Sequence, residues 1–228
     1  RCTLLLTTML SRRVADAEPG EAAEAERLME EALTLARSRG VPGELDVSAI
    51  LLARGDVRRR DQRIAEAEPD YRESLAIRQR VYPAHHPSIT SAAMRLAAAV
   101  SARGAHQAAL DILEPIIVAL RGERRTNDAP YAQLVGLAGT CAGELERYAE
   151  AARYHEEALA IHRAMSNRVM QSVSLTDLGT IYLKLERFAD AERVLREAMG
   201  VAEGGHSVEP MLVIALATAL DGQGKHAD

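Results

Sequence analysis

The residues able to do chemistry are few and scattered. His85-His86 and His155-Glu156 are the pairs a metal or an acid–base centre would use, and Glu30-Glu31 and Glu156-Glu157 are the adjacent acids. Adjacent side chains point in different directions, and no second ligand pair stands at i, i+4 nearby, so no metal centre is expected. His86-Pro87 reads as an interhelix loop with a structural role, and the acid pairs read as helix surface with no partner acid across a cleft. Gly204-Gly205 follows no strand, so it is a helix stop rather than a phosphate loop. Tyr71, Tyr154 and Tyr182 recur on helix faces as packing residues. No nucleophile and base converge. The chain is expected to be no enzyme and to carry no cofactor.

The elements that would have to position any site follow a fixed period. Ala25, Ala67, Ala109, Ala151 and Ala191 lie 42, 42, 42 and 40 residues apart, and the blocks they open repeat with them. In each block apolar or small residues return three to four and seven to eight places later, the period of one buried helix face. Twelve residues upstream stand Gly55, Ala97, Gly139 and Gly179, and Ala217 opens a further unit. Glycine inside a helix costs roughly 1 kcal/mol relative to alanine, so its recurrence implies helices crossing too closely for a Cβ. A period of this length means an array of stacked helical hairpins.

The best-formed unit runs from Leu178-Gly179-Thr180-Ile181-Tyr182 through a turn to Phe188-Ala189-Asp190-Ala191. These residues resemble the tetratricopeptide repeat, and the 42-residue spacing is similar to the longer variant of kinesin light chains and many bacterial proteins. Ser74-Leu75-Ala76-Ile77-Arg78-Gln79-Arg80-Val81-Tyr82-Pro83-Ala84-His85-His86-Pro87 carries that variant's helix end and His-Pro loop, and Ala158-Leu159-Ala160-Ile161-His162-Arg163 repeats its first half. The resemblance implies peptide or protein binding. Where kinesin-light-chain repeats tend to carry an asparagine pair on the first helix, Met94-Arg95 and Thr176-Asp177 stand here. Pro69 and Pro115 fall inside second helices, where proline removes a hydrogen bond and kinks or splits the helix.

Composition fits an all-α array. Hydrophobic residues make up 47% and aromatic residues 3%, with no Trp and one Phe, so contacts must come from Ala and Leu. Sustained period-2 runs are absent. The net charge of −5 disfavours nucleic acid as a general partner. Arg54, Arg58, Arg59, Arg60 and Arg63 form the one basic cluster, at a hairpin turn. It reads as a solvated face, or as a patch for an acidic peptide or phosphate. Cys2 and Cys141 lie three repeats apart, too far for a disulfide in an array whose repeats touch only their neighbours. Unpaired thiols fit a reducing, cytoplasmic setting. The apolar run from Leu4 to Leu10 is too short to span a membrane and reads as the remnant of a first helix.

Both ends are expected to cut through a unit. Arg1 enters in mid-repeat, and Asp228 aligns with Asp190. No polar cap covers the last unit, where Met211, Leu212, Ile214, Leu216 and Leu220 would face an absent helix, so a longer array or self-association through uncapped ends is expected.

The sequence thus predicts an all-α, right-handed α-α superhelical solenoid of about eleven helices, in units near residues 1–40, 41–83, 84–126, 127–166, 167–206 and 207–228. Its concave face, formed by the first helix of each hairpin, would bind a peptide or protein segment, with no nucleic acid and no membrane. The lining residues expected from the register are Leu52, Asp56, Met94, Ala98, Thr140, Thr176, Thr180 and Lys184. They are small, neutral and apolar in the middle, which points to a short apolar peptide. The alternative is a regulatory or scaffolding segment of a larger signalling protein, docking intramolecularly.

Overall fold

Apolar and small residues at helical spacing form ten α-helices and one short 3₁₀ helix among the described residues, with no strand. The structure, a computed structural model, describes residues 19–202 and 210–224. The expected helix over residues 4–10, Cys2, the Gly204-Gly205 stop and Asp228 lie outside them.

The chain divides into two compact units, the first ending at Ala105 and the second beginning at His106. The first unit holds α1 (Pro19–Ser38), a 3₁₀ helix (Val41–Gly43), α2 (Glu44–Arg60), α3 (Ile64–Val81) and α4 (Pro87–Ala102). Each α-helix packs on the next. Met29, Leu33, Ile50 and Leu51 are fully enclosed between them. The second unit holds α5 (His106–Gly122), α6 (Ala129–Glu144), α7 (Tyr148–Ala164), α8 (Arg168–Lys184), α9 (Phe188–Ala202) and α10 (Pro210–Gly222). Here too neighbours in sequence pack together, and α6 also meets α8, as α8 meets α10. In the alanine register α2, α4, α6, α8 and α10 are first helices of hairpins, so these added contacts join first helices of successive hairpins.

Local chemistry sets the helix starts. The His86 ring accepts from the Ser88 backbone N–H at 3.1 Å and stacks on Tyr82 with ring centroids 3.9 Å apart, while Pro87 opens α4. Asp128 caps α6 by accepting from Tyr131 N–H at 2.9 Å, and Asn167 caps α8 by accepting from Met170 N–H at 3.2 Å. The hairpin turns share one conformation. Gln62, Gly104, Glu146, Glu186 and Gly224 all have positive φ, at 61°, 80°, 59°, 56° and 68°. Their spacing of 42, 42, 40 and 38 residues follows the repeat.

The glycines at the crossings have the reason the sequence assigned them. A Cβ on Gly55 would lie 2.6 Å from Tyr71 Cε1, one on Gly139 2.8 Å from His155 Cδ2, and one on Gly179 2.5 Å from Leu195 Cδ2. In all three the partner lies sixteen residues downstream, on the second helix of the same hairpin. Leu195 is fully buried and has nowhere to retreat. Gly179→Ala should therefore lower stability by about 1–2 kcal/mol, the overpacking cost outweighing a propensity gain of about 1 kcal/mol. Urea unfolding followed by far-ultraviolet circular dichroism checks this, and an unchanged midpoint would overturn the register.

Two expectations need correction. Neither proline splits its helix: α3 runs unbroken through Pro69 and α5 through Pro115. Packing of the apolar faces holds each helix together across the missing hydrogen bond. At the far end, Leu212 is buried at 2% exposure with Ala215 and Ala219, while Met211, Val213 and Ile214 stand exposed. Leu212 belongs to the face that α10 turns to its neighbours in the second unit. Gly222 packs under the Phe188 ring, and Gln223 Nε2 donates to the Phe188 carbonyl at 3.1 Å and to Glu192 Oε2 at 2.8 Å, fixing α10 on α9.

Candidate functional site

All eight residues expected to line the groove fall on first helices, two each on α2 and α4, one on α6 and three on α8. In the first unit Leu52 is buried at 8% exposure and serves packing, whereas Ala98 is exposed and Met94 half-buried. Asp56 is engaged: its carboxylate accepts from Tyr71 Oη at 2.8 Å and from Arg95 Nε at 3.1 Å on both oxygens. Burial, the Asp56 charge and this hydrogen bond push the Tyr71 phenol well above its ordinary pKa.

In the second unit Thr140 on α6 and Thr180 and Lys184 on α8 line one cleft of about 360 Å³. Gly143 lets the two helices draw close, since a Cβ there would sit 3.1 Å from Ile181 Cδ1. Thr176 stands one turn from Thr180. The threonine hydroxyl protons are spent within the helices, Thr140 donating to the Gly136 carbonyl at 3.2 Å, Thr176 to Ser172 at 2.9 Å and Thr180 to Thr176 at 3.0 Å. What they offer the cleft is acceptor lone pairs.

Sequence reasoning missed the other half of this cleft. Tyr148 and His155 from α7, with Glu144, Glu146 and Asp177, complete the lining. The His155 side chain is 3% exposed, and its Nδ1 has no hydrogen-bond partner. Asp177 Oδ2 lies 3.9 Å from that nitrogen, beyond hydrogen-bond reach. Burial drives the His155 pKa down to about 4, so the ring is neutral at ordinary pH. The signal was available: sixteen residues after Gly139, His155 occupies the place that Tyr71 holds after Gly55. The α6–α8 cleft itself is polar and acidic, because the acids lie between the residues chosen by register.

The remaining sequence candidates have structural roles. Glu156 accepts from Tyr182 Oη at 2.6 Å, which together with burial pushes that phenol up to about 12. Glu157 takes Tyr131 Oη at 2.5 Å and Arg121 Nη2 at 2.5 Å. Among the described residues no group of three or more His, Cys, Asp or Glu side chains is placed to hold a metal, and no helix is long and apolar enough to cross a membrane. Cys141 is a buried thiol. The basic cluster is neither a solvated face throughout nor an open patch: Arg54, Arg58 and Arg63 are tied to Glu26, Glu30, Glu66 and Asp70 from α1 and α3.

Comparison with known proteins agrees with this architecture. The family model described as tetratricopeptide repeat matches residues 46–114 and 131–204, more than half of the chain. No curated protein matches the sequence. Solved structures match its fold. BtubC (BKLC) from P. vanneervenii superimposes with a TM-score of 0.73 at 18% identity, over 95% of this chain and 85% of that one. A putative kinesin light chain repeat protein from Podosopora anserina gives 0.70 at 18% identity, over 91% and 97%. The apo form of RapI gives 0.76 at 15% identity, over 90% and 71%. At these identities the likeness concerns the fold alone.

Proposed function

The chain belongs to the tetratricopeptide-repeat family, and from that premise we propose that it is a non-catalytic interaction module that holds a peptide or protein segment on the face formed by its first helices. In solenoids of this kind that face is the extended concave surface used for binding. The observation that carries the reading is the α6–α8 cleft, where Thr140, Thr180 and Lys184, with Tyr148 and His155 of α7, line about 360 Å³ of open space. Asp70, Glu156 and Glu157 are engaged in ion pairs and phenol contacts across helices, which is structural work.

The test is to fill the cleft. Thr140 and Thr180 are exposed, so Thr140→Tyr with Thr180→Tyr should leave helicity and the melting temperature unchanged. Affinity capture with the full-length protein from its source cells, followed by titration of the retained protein, should show at least about a tenfold loss of affinity in the double variant. Undiminished capture would overturn the assignment of binding to this face.

A further inference from the structure

One arginine of the first unit differs from its neighbours. Arg54 and Arg58 share the Asp70 carboxylate, and Arg95 pairs with Asp56. Arg78 of α3 is half-buried, yet its bonds go to neutral groups, Nε donating to Ser48 Oγ at 2.7 Å and Nη1 to the Ser88 carbonyl at 2.9 Å. Among the described residues no carboxylate pairs with it. Burial and the nearby Arg95 charge both push its pKa down. Packing alone does not require a cation at this place. Two repeats on, the same register position holds His162, whose pKa burial also lowers, and whose neutral ring bonds Ser174 Oγ at 3.0 Å.

We propose that Arg78 and Arg95 together receive the carboxylate of an acidic side chain from the bound segment, between α2 and α4 on the first-helix face. This rests on the reading that a partner segment binds that face.

Helical spacing places Ser48, Leu52 and Asp56 on one stripe of α2, and Ser88, Ser91 and Arg95 on one stripe of α4. Bonds tie the two stripes together at both ends. Arg78 spans Ser48 and Ser88 at one end, and Arg95 Nε donates to both Asp56 oxygens at 3.1 Å at the other. Between them Ser91 Oγ accepts from Arg95 Nη1 at 2.6 Å and keeps its own proton to donate. Nη2 of Arg78 and Nη2 of Arg95 bond to no acceptor among the described residues. Two guanidiniums against the single Asp56 carboxylate leave one positive charge in excess. One carboxylate balances it and accepts from the unused N–H groups. A phosphate dianion would leave negative charge in excess beside Asp56, and a neutral or cationic side chain would leave Arg78 desolvated without a counter-charge.

The probe is N-acetyl-glutamate methylamide, titrated into the full chain at pH 8 while the Arg78 and Arg95 Nε–H resonances are followed by NMR. Saturable shifts of both are expected, with the neutral N-acetyl-glutamine methylamide binding at least about fivefold more weakly. Arg78→His, which installs the neutral side chain that the second unit carries at this place, should weaken the glutamate probe by a similar factor. Should that variant melt at a lower temperature, the comparison of glutamate with glutamine on the wild type decides alone. Equal binding of the two analogues, or indifference to Arg78→His in a variant that melts like the wild type, overturns the proposal. Tighter binding of N-acetyl-phosphoserine methylamide than of the glutamate probe overturns the assignment to a carboxylate. If the glutamate probe fails while the Thr140→Tyr/Thr180→Tyr variant still loses its partner, the face is right and the acidic side chain is wrong. If the tyrosine variant keeps its partner while the glutamate probe binds as expected, the site stands and the wider binding face falls.

Discussion

Asp70→Ala should destabilise the protein by about 3–5 kcal/mol, the cost of removing one partner from a buried ionic cluster. Asp70 is 3% exposed on α3. Its two oxygens accept from Arg54 Nη2 at 2.6 Å and Nε at 3.0 Å, and Oδ2 also accepts from Arg58 Nη1 at 3.0 Å. The arginine side chains are themselves only 13% and 18% exposed. Hydrogen bonding to Asp70 raises the Arg54 pKa against the opposing effect of burial, so the guanidinium stays charged. Alanine would leave both cations beside the core with only Glu30 and Glu26 on α1 to answer them. The size of the loss comes from the orphaned cations, so Asp70→Leu combined with Arg54→Met should recover most of it. Urea unfolding of the wild type, the single variant and the double variant checks this. A single variant within about 1 kcal/mol of wild type would show that the network is solvated and of the weak surface kind.

That cluster also shows where sequence reading stops. Five arginines between residues 54 and 63 look like one basic patch because their counter-charges, Glu26 and Glu30, lie on another helix some thirty residues upstream. The fold was legible for the opposite reason. Period 3.6, Ala at one contact and Gly at the next are local signals, and Gly55, Gly139 and Gly179 each announced a close crossing that exists. Neither proline ends its helix, because local propensity at Pro69 and Pro115 is overridden by packing along the rest of the helix. Half of the cleft was legible too, since Thr140, Thr180 and Lys184 follow from the register. His155 was visible only as a possible ligand beside Glu156, yet on the helix the two diverge, Glu156 to Tyr182 and His155 beneath Gly139. Asp177 was noted only as a departure from an asparagine, and its meaning depends on a nitrogen contributed from another helix.

The buried imidazole gives the second large effect, a loss of stability in mild acid. In the native state burial holds the His155 pKa at about 4, while in the unfolded chain an ordinary histidine titrates near 6.5. Above about pH 6.5 both states carry a neutral ring, and the native state keeps its full advantage. As the pH falls through 6.5 the unfolded chain takes up a proton that the native protein refuses, so stability declines and levels off only below about pH 4. Linkage puts the whole decline at roughly 3 kcal/mol. His155→Leu isolates this contribution. Leucine already stands at the same register position in Leu195, where it packs under Gly179 as His155 packs under Gly139. The variant should fold, and its unfolding free energy should vary less than that of the wild type between pH 7 and pH 4.5. Parallel pH profiles for the two proteins would mean that native His155 takes up its proton as readily as the unfolded chain does. Asp177 Oδ2, 3.9 Å from Nδ1, is the carboxylate close enough to favour the charged ring.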